Sequence, residues 1–204
     1  MTPNPDLQFE RRLWQSGLLR VAGLDEAGRG ALAGPVCVAA VILPAGDPHL
    51  ARTLAGVRDS KQMTPPARDA LAPRIQEAAL GWAVAFASAQ EIDRLGIVPA
   101  TRLAGLRALE ALNPDYLLTD FRLEFPELDL PQTALVKGDQ KSLSIAAASV
   151  LAKTARDALM RELDARHPGY GLGKHKGYGT PAHRSTLRRL GHSPIHRKTF
   201  KFKT

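Results

Sequence analysis

The chain has 204 residues, 44% of them apolar and 24% charged, with a net charge of +8, which is ordinary globular usage and excludes a disordered or fibrous protein. Its longest apolar run, residues 35–43, falls far short of the roughly 20 residues a membrane span needs, and residues 1–17 lack the hydrophobic centre of a signal peptide, so a cytoplasmic protein without membrane contact is expected. One cysteine, Cys37, excludes an internal disulfide, and its apolar setting predicts a buried, inert thiol.

The length predicts one domain. Residues 1–17 are polar and proline-dotted and predict a flexible segment, a frayed end or short helix. Residues 18–25 and 35–43, rich in Val, Ile, Leu and Ala and joined by a glycine turn, predict adjacent strands of a largely buried sheet. Thr64, Pro65 and Pro66 form a helix-start signal ahead of Leu71 and Ile75, and Pro73 should kink or break that helix. Residues 81–89 predict a strand and 99–112 a helix stopped by Asn113 and Pro114. Short strands are expected over 116–120 and 133–137. From Ser142 onward, Ile145, Ala148, Ala152, Ala155, Leu159 and Leu163 recur at helical spacing and predict a long helix with a small-residue face. Strands and helices alternate after an opening hairpin, which implies an α/β fold: a mixed β-sheet flanked by helices, spanning 18–165.

Residues 165–204 hold ten Lys or Arg and no acid, while the first 164 hold 18 basic and 20 acidic residues. The same segment carries five of the six histidines and Tyr170, Tyr178, Phe200 and Phe202. Such a stretch suits a polyanion, because basic side chains release phosphate counterions while rings stack on bases or sugars. A solvated basic tail accounts for the charge equally well.

Three predicted strands end in acids: Asp25 with Glu26, Asp120, and Asp139. Each alone reads as a solvated strand end; converging, they repel unless a cation neutralises them. Oxygen-only donors favour Mg²⁺ or Mn²⁺ over zinc. Neighbouring side chains alternate faces on a strand, so Asp25 and Glu26 can share a site only if the strand bends, which Gly28 and Gly30 make cheap. Two metals about 4 Å apart beside a basic surface suit phosphoryl transfer.

In order, DEAGRG at 25–30, DSK at 59–61, KGD at 137–139, SIAAASVLAKTARD at 144–157, HKGYGT at 175–180 and SPIHRKTF at 193–200 resemble bacterial ribonuclease HII over nearly the whole chain. The resemblance implies an RNase H-like fold and metal-dependent cleavage of the RNA strand in RNA/DNA hybrids. It also implies nicking 5′ to single ribonucleotides in duplex DNA, leaving 3′-hydroxyl and 5′-phosphate ends. By motif, Asp25, Glu26, Asp120 and Asp139 would be the catalytic, metal-binding acids, with Asp139 the least continuous ligand and two Mn²⁺ or Mg²⁺ ions held with substrate. Gly28, Arg29 and Gly30 would read the ribose 2′-hydroxyl, Tyr178 would stack on the adjoining sugar, and Ser60 with Lys61 would contact backbone phosphate. An exposed turn is an equal reading of the latter pair.

Two departures from the family stand out. Phe121 and Arg122 follow Asp120 where the family usually has glycine, which leaves Asp115 and Glu124 as alternatives to Asp120. Gln62 stands where a second lysine is common. Asp157 is left out of the metal set because Lys153 and Arg161 flank it at helical ion-pair spacing. Residues 166–204 are expected to be a basic helical segment packed on the catalytic domain and touching nucleic acid. The protein is expected to be a monomer, and a replication-clamp contact through KTFKFKT at 198–204 is left open. Three competing readings are a basic nucleic-acid-binding protein without catalysis, a metal-independent ribonuclease using 2′-hydroxyl attack, and ribonuclease HIII. The last carries an added N-terminal domain, for which the 24 residues before Asp25 are too few.

Overall fold

The computed structural model describes residues 4–120 and 123–201. Five strands form one mixed sheet: β1 (Val21–Ala27), β2 (Val36–Ile42), β3 (Gly81–Ala87), β4 (Tyr116–Asp120) and β5 (Gln132–Leu135). Their spatial order is β3-β2-β1-β4-β5. The first three strands pair antiparallel as a meander, and β4 and β5 add parallel on the other side of β1. The sequence of β2, VCVAAVI, is buried at every position, as expected of a strand covered on both faces. The predicted α/β architecture is therefore the observed one, with strand ends shifted by a few residues.

Side-chain alternation divides the sheet into two faces. Cys37, Ala39 and Val41 face α6 (Leu143–Arg166), whose first half supplies Ala146, Ala147, Val150 and Leu151 to the same core. Ala22, Leu24, Val38, Ala40 and Ile42 face α5 (Ile97–Leu109), which brings Ala100, Ala104 and Ala108. The small-residue face of α6 lets it sit very close to β1. A Cβ built on Gly23 would lie 2.3 Å from the Ser144 carbonyl carbon, so no larger residue fits between helix and strand.

Three sequence expectations change. After the single turn of α2 (Leu50–Thr53), Pro73 neither ends nor interrupts α3 (Pro65–Ala78), which starts at the predicted Thr64 cap. Buried Leu71, Ala72 and Ile75 on both sides of Pro73 hold the helix to the core. A short helix, α4 (Ala89–Leu95), went unpredicted although Ser88 and Glu91 form a full capping box at its start. The third is at the N-terminus, where of the two forms expected for residues 1–17 the short helix is present and the segment is anchored from Asn4 onward. The segment contains α1 (Gln8–Gln15), and Asp6 hydrogen-bonds main chain at Lys141 and Leu143. Glu10 on α1 is fully buried, and its Oε1 accepts from Ser142 Oγ, Ser144 N and Ser144 Oγ at 2.6, 2.9 and 2.7 Å. A carboxylate at a helix N-terminus is favoured by the unpaired N–H groups there, so Glu10 and the Ser142 cap together close the start of α6.

After α6 the chain forms a one-turn helix, α7 (Leu172–His175), and α8 (Pro181–Leu190). It meets the segment beyond β1 twice, through the bridge Ala31↔Tyr178 between these two helices and the bridge Ala33↔His196 after α8. The basic segment is thus partly helical and packed on the sheet domain. Phe202 and the last residues of KTFKFKT lie outside the described residues. Among the described residues, no helix is long and apolar enough to cross a membrane.

Because Glu10 accepts three hydrogen bonds in a closed environment, Glu10→Ala should lower the free energy of unfolding by about 2–4 kcal/mol in urea denaturation. An unchanged midpoint would return the N-terminal segment to the role of a loose end.

Candidate active site

β1 meets its two neighbours unequally. Its ladder to β2 runs unbroken through Asp25↔Ala39, Glu26↔Val38 and Ala27↔Cys37, whereas the pairing with β4 ends at Leu24↔Thr119. The bend expected at the acids is therefore absent. What brings them together is their place just past the end of β4. Asp25 lies on the α6 face, where the nearby Ser149 hydroxyl favours its charged form, and its Oδ1 accepts the Glu26 N–H at 2.7 Å. Glu26, on the opposite face by alternation, reaches the sheet's end and lines a cavity there with Ser60 and Lys61.

Asp120 ends β4, and its Oδ1 accepts the Gly138 N–H at 2.8 Å, which ties it to the turn carrying Asp139. The alternatives to Asp120 are displaced: Asp115 precedes the start of β4 and accepts the Arg20 N–H, and Glu124 is exposed. Phe121 and Arg122 lie outside the described residues.

The four acids act on one another electrically. Burial, then Glu26, Asp139 and Asp120, raise the pKa of Asp25 well above the usual carboxylate range. Burial raises that of Glu26 as well, with Asp120 adding to it and Arg29 and Lys61 opposing it. Burial with Asp59 and Asp120 pushes Asp139 up to about 6. Lys61 faces the cluster: partial burial works against its charge, but Asp25, Asp59, Asp139 and Glu26 outweigh it and hold its pKa above normal.

Asp25 Oδ2 and Glu26 Oε2 are buried without any hydrogen-bond partner. Orphaned carboxylate oxygens among like charges are costly unless a cation meets them. The donor set is all oxygen and so fits Mg²⁺ or Mn²⁺. Among the described residues, no three acidic, histidine or cysteine side chains are gathered into a ready coordination shell. The arrangement is an open cluster whose charges are close enough to interact.

Beside Glu26 lies a cavity of about 200 Å³ whose walls include Gly28, Arg29, Gly30, Ser60, Lys61, Lys153 and Tyr178. All six of the residues predicted to touch substrate thus border one space. The two glycines differ. Gly28 has φ +88°, and a Cβ there would strike the Arg156 side chain; Gly30 has neither constraint, and a Cβ there would meet open space. Ser60 is 3% exposed, and its hydroxyl lies 2.9 Å from Ser149 Oγ, so its side chain supports the serine beside Asp25 rather than pointing at solvent. The Tyr178 ring has Lys153 Nζ and Arg156 Cζ 5.5 and 5.4 Å from its centroid, within cation–π range.

Sequence reasoning missed Ser149, Lys153, Arg156 and Arg197. The first three fall within the quoted 144–157 motif, but without the fold nothing marks which face of that helix each occupies. Asp157 does pair with Lys153 at 2.6 Å, yet its other oxygen goes to Arg68 at 3.2 Å rather than to Arg161. Arg68 also donates to the carbonyls of Ser60 and Met63, linking the segment at 60–63 to Lys153. Cys37 is buried as expected, with burial driving its pKa upward.

The C-terminal histidines are packed rather than catalytic. His196 Nδ1 accepts the Ser193 N–H, so in the neutral ring Nε2 carries the hydrogen and donates to His183 Nε2 at 3.0 Å. His183 Nδ1–H then donates to the Tyr178 carbonyl. Burial lowers the pKa of both rings, that of His196 to about 4, so both are neutral near pH 7. A larger cleft of about 610 Å³ lies between α4 and residues 192–198. Its one acid, Asp93, is occupied by the N–H groups of Lys198 and Thr199; chemistry, not volume, locates the site.

A carboxyl whose pKa is raised by folding keeps its proton after the unfolded chain has lost it. Its stabilising contribution is complete at low pH and is lost as pH rises, for Asp139 from 3.8 to about 6. At pH 7 the cluster therefore opposes folding. Asp25→Asn should raise the thermal midpoint of the metal-free protein by roughly 2–6 °C, about 1–2 kcal/mol in a domain of this size. Divalent ions should stabilise the unsubstituted chain more than the variant. A lower midpoint for the variant without metal would contradict this electrostatic account.

The ribonuclease HII family model matches residues 22–203. The ribonuclease HII of Synechococcus sp. (strain JA-3-3Ab) is 55% identical over 198 residues, covering 96% of this chain and 88% of that one. Among solved structures, RNase HII of Archaeoglobus fulgidus in its PCNA complex superposes with a TM-score of 0.77 at 26% identity, covering 91% of this chain and 97% of that one. Bst-RNase HIII in complex with Mn²⁺ shares the fold with a TM-score of 0.63 at 24% identity, covering 85% and 63%. With this mixed sheet, the acids at its end and a family match across nearly its whole length, the chain belongs to the ribonuclease HII family and is an RNase H-type nuclease.

Proposed function

We propose that the protein is a cytoplasmic, monomeric, divalent-metal-dependent endoribonuclease acting on RNA/DNA hybrids and on duplex DNA containing ribonucleotides. It cuts the RNA strand, nicks 5′ to a single embedded ribonucleotide, and leaves 3′-hydroxyl and 5′-phosphate ends. The observation that carries this reading is the pair of orphaned oxygens, Asp25 Oδ2 and Glu26 Oε2, buried among acids beside a cavity walled by Gly28, Arg29 and Gly30. Mn²⁺ bound to Bst-RNase HIII supports the choice of ion class.

Asp25, Glu26 and Asp120 hold the metals, and Asp139 joins them from the Gly138 turn. When bound, two Mg²⁺ or Mn²⁺ ions would neutralise this charge, favour ionisation of the attacking water and stabilise the departing 3′-oxygen. The chain's own residues do the selecting. At about 200 Å³, the cavity is below the ~300–1,000 Å³ typical of sites for whole small-molecule ligands, and suits a sugar rather than a complete nucleotide. Main-chain N–H groups of the 28–30 turn bond the 2′-hydroxyl there, and a deoxyribose leaves them unpaired. Tyr178 stacks on the neighbouring sugar, and Lys61 and Lys153 bind flanking phosphates as point charges. The ten basic residues after residue 164 extend that contact along the duplex.

The test is a nicking assay on a DNA duplex holding one ribonucleotide. Cleavage should require Mg²⁺ or Mn²⁺ and stop with EDTA, and Asp25→Asn should lower kcat by at least about 1,000-fold, the several kcal/mol expected of a metal site. Binding of hybrid without cleavage in the presence of metal would leave only a nucleic-acid-binding protein. Cyclic phosphate ends that form despite EDTA would mean attack by the 2′-hydroxyl instead.

A further inference from the structure

Arg156 and Arg197 are 0% and 1% exposed, and among the described residues neither makes an ion pair with a carboxylate. A buried guanidinium without a counter-ion is expensive, so its donors must be spent elsewhere. All of them that are paired here go to main-chain carbonyls. Arg197 donates through Nη2 to Gly28 O at 2.8 Å, through Nη1 to Arg29 O at 2.8 Å and through Nε to Gly34 O at 3.0 Å. Arg156 donates to Pro35 O at 2.9 Å, Lys176 O at 3.0 Å and Ala33 O at 3.2 Å.

The two carbonyls taken by the Arg197 fork belong to successive peptide groups, Gly28-Arg29 and Arg29-Gly30. In a trans peptide the carbonyl and the following N–H point in opposite directions within one plane, and no described peptide is cis. Drawing both carbonyls inward therefore turns the N–H groups of Arg29 and Gly30 outward, toward the cavity these residues line. Arg156 sits beneath Gly28, where a Cβ would come within 1.8 Å of its Nε, and joins this turn to the loop that carries Tyr178.

We infer that Arg197 is a positioning residue for ribose selection: its planar guanidinium locks both peptide planes of the 28–30 turn so that two donors converge where a 2′-hydroxyl oxygen would lie. This rests on the functional reading given above. Arg197 touches no substrate and acts wholly through the turn. A lysine in its place offers one ammonium on a flexible stem and lacks the fork that spans two neighbouring carbonyls.

The experiment uses the full chain with Mn²⁺. It measures kcat and KM on a duplex with one ribonucleotide, together with the inhibition constant of the same duplex in all-deoxy form. For Arg197→Lys, kcat should fall about 100-fold, as expected when a reacting group is misplaced by an ångström or so. The all-deoxy inhibition constant should stay within about twofold, because contacts to phosphate are untouched. A companion variant, Arg197→Ala, should recover activity several-fold with millimolar guanidinium and not with methylammonium, whereas guanidinium should not stimulate the unsubstituted chain. A folded Arg197→Lys with unchanged kcat would overturn the inference, and so would a fall in kcat matched by an equal weakening of all-deoxy binding. If the unsubstituted chain itself fails to cut, the functional reading is at fault; if it cuts and the lysine variant cuts equally well, only the role of Arg197 is.

Discussion

The close seating of α6 on β1 organises the rest of the molecule. Gly23 leaves no side chain between helix and strand, and once Ser144 rests on that glycine, later turns of α6 fall at fixed heights along β1 and the turn beyond it. Ser144 meets Glu10, Ser149 meets Asp25, Lys153 borders the cavity, Arg156 passes under Gly28, and Met160 packs against Gly34. A straight helix rising ~1.5 Å per residue acts as a ruler for the site. A site measured from one rigid element holds its geometry better than one assembled from independent loops, each free to relax.

Two opposite departures from charge neutrality flank the turn at residues 28–30. On one side are carboxylates with too few cations, their pKa values raised by burial. On the other are buried guanidiniums without acids. Burial and the neighbouring Arg156 push the pKa of Arg197 down to about 9, still above neutral. The raised carboxyls cost stability when ionised, whereas the guanidiniums offset their burial through bonds to main-chain carbonyls. Stability comes from elsewhere: the two apolar layers of the sheet, the α1 contact at the start of α6, and the pair of ionic contacts around Asp157.

Much of this was legible before any coordinates. Apolar runs ending in acids marked β1 and β4, and the small-residue period of residues 145–163 marked α6. What escaped has physical reasons. Local rules treat a proline as a break, yet Pro73 is carried by core contacts of Leu71, Ala72 and Ile75, where packing outweighs a lost helix bond. The shared position of Asp25 and Glu26 could not be read from strand alternation, because it depends on where β4 stops. Arg156 and Arg197 were unreadable for another reason: an arginine that binds carbonyls has no charged partner in the sequence to betray it, and looks like any other member of a basic run. The start of α4, by contrast, is a purely local signal, the capping box of Ser88 and Glu91.

The bonds of Arg197 also fix an order of events during synthesis. The turn at residues 28–30 is made early, together with the first strands, yet the carbonyls of Gly28 and Arg29 wait for a side chain 169 and 168 residues further along. Tyr178 likewise joins the turn only through the late bridge to Ala31. A nascent chain can therefore carry Asp25 and Glu26 on a formed sheet while the turn that follows them is unfinished. The peptide planes of residues 28–30 are fixed last, when the C-terminal segment closes over the work of the first thirty residues.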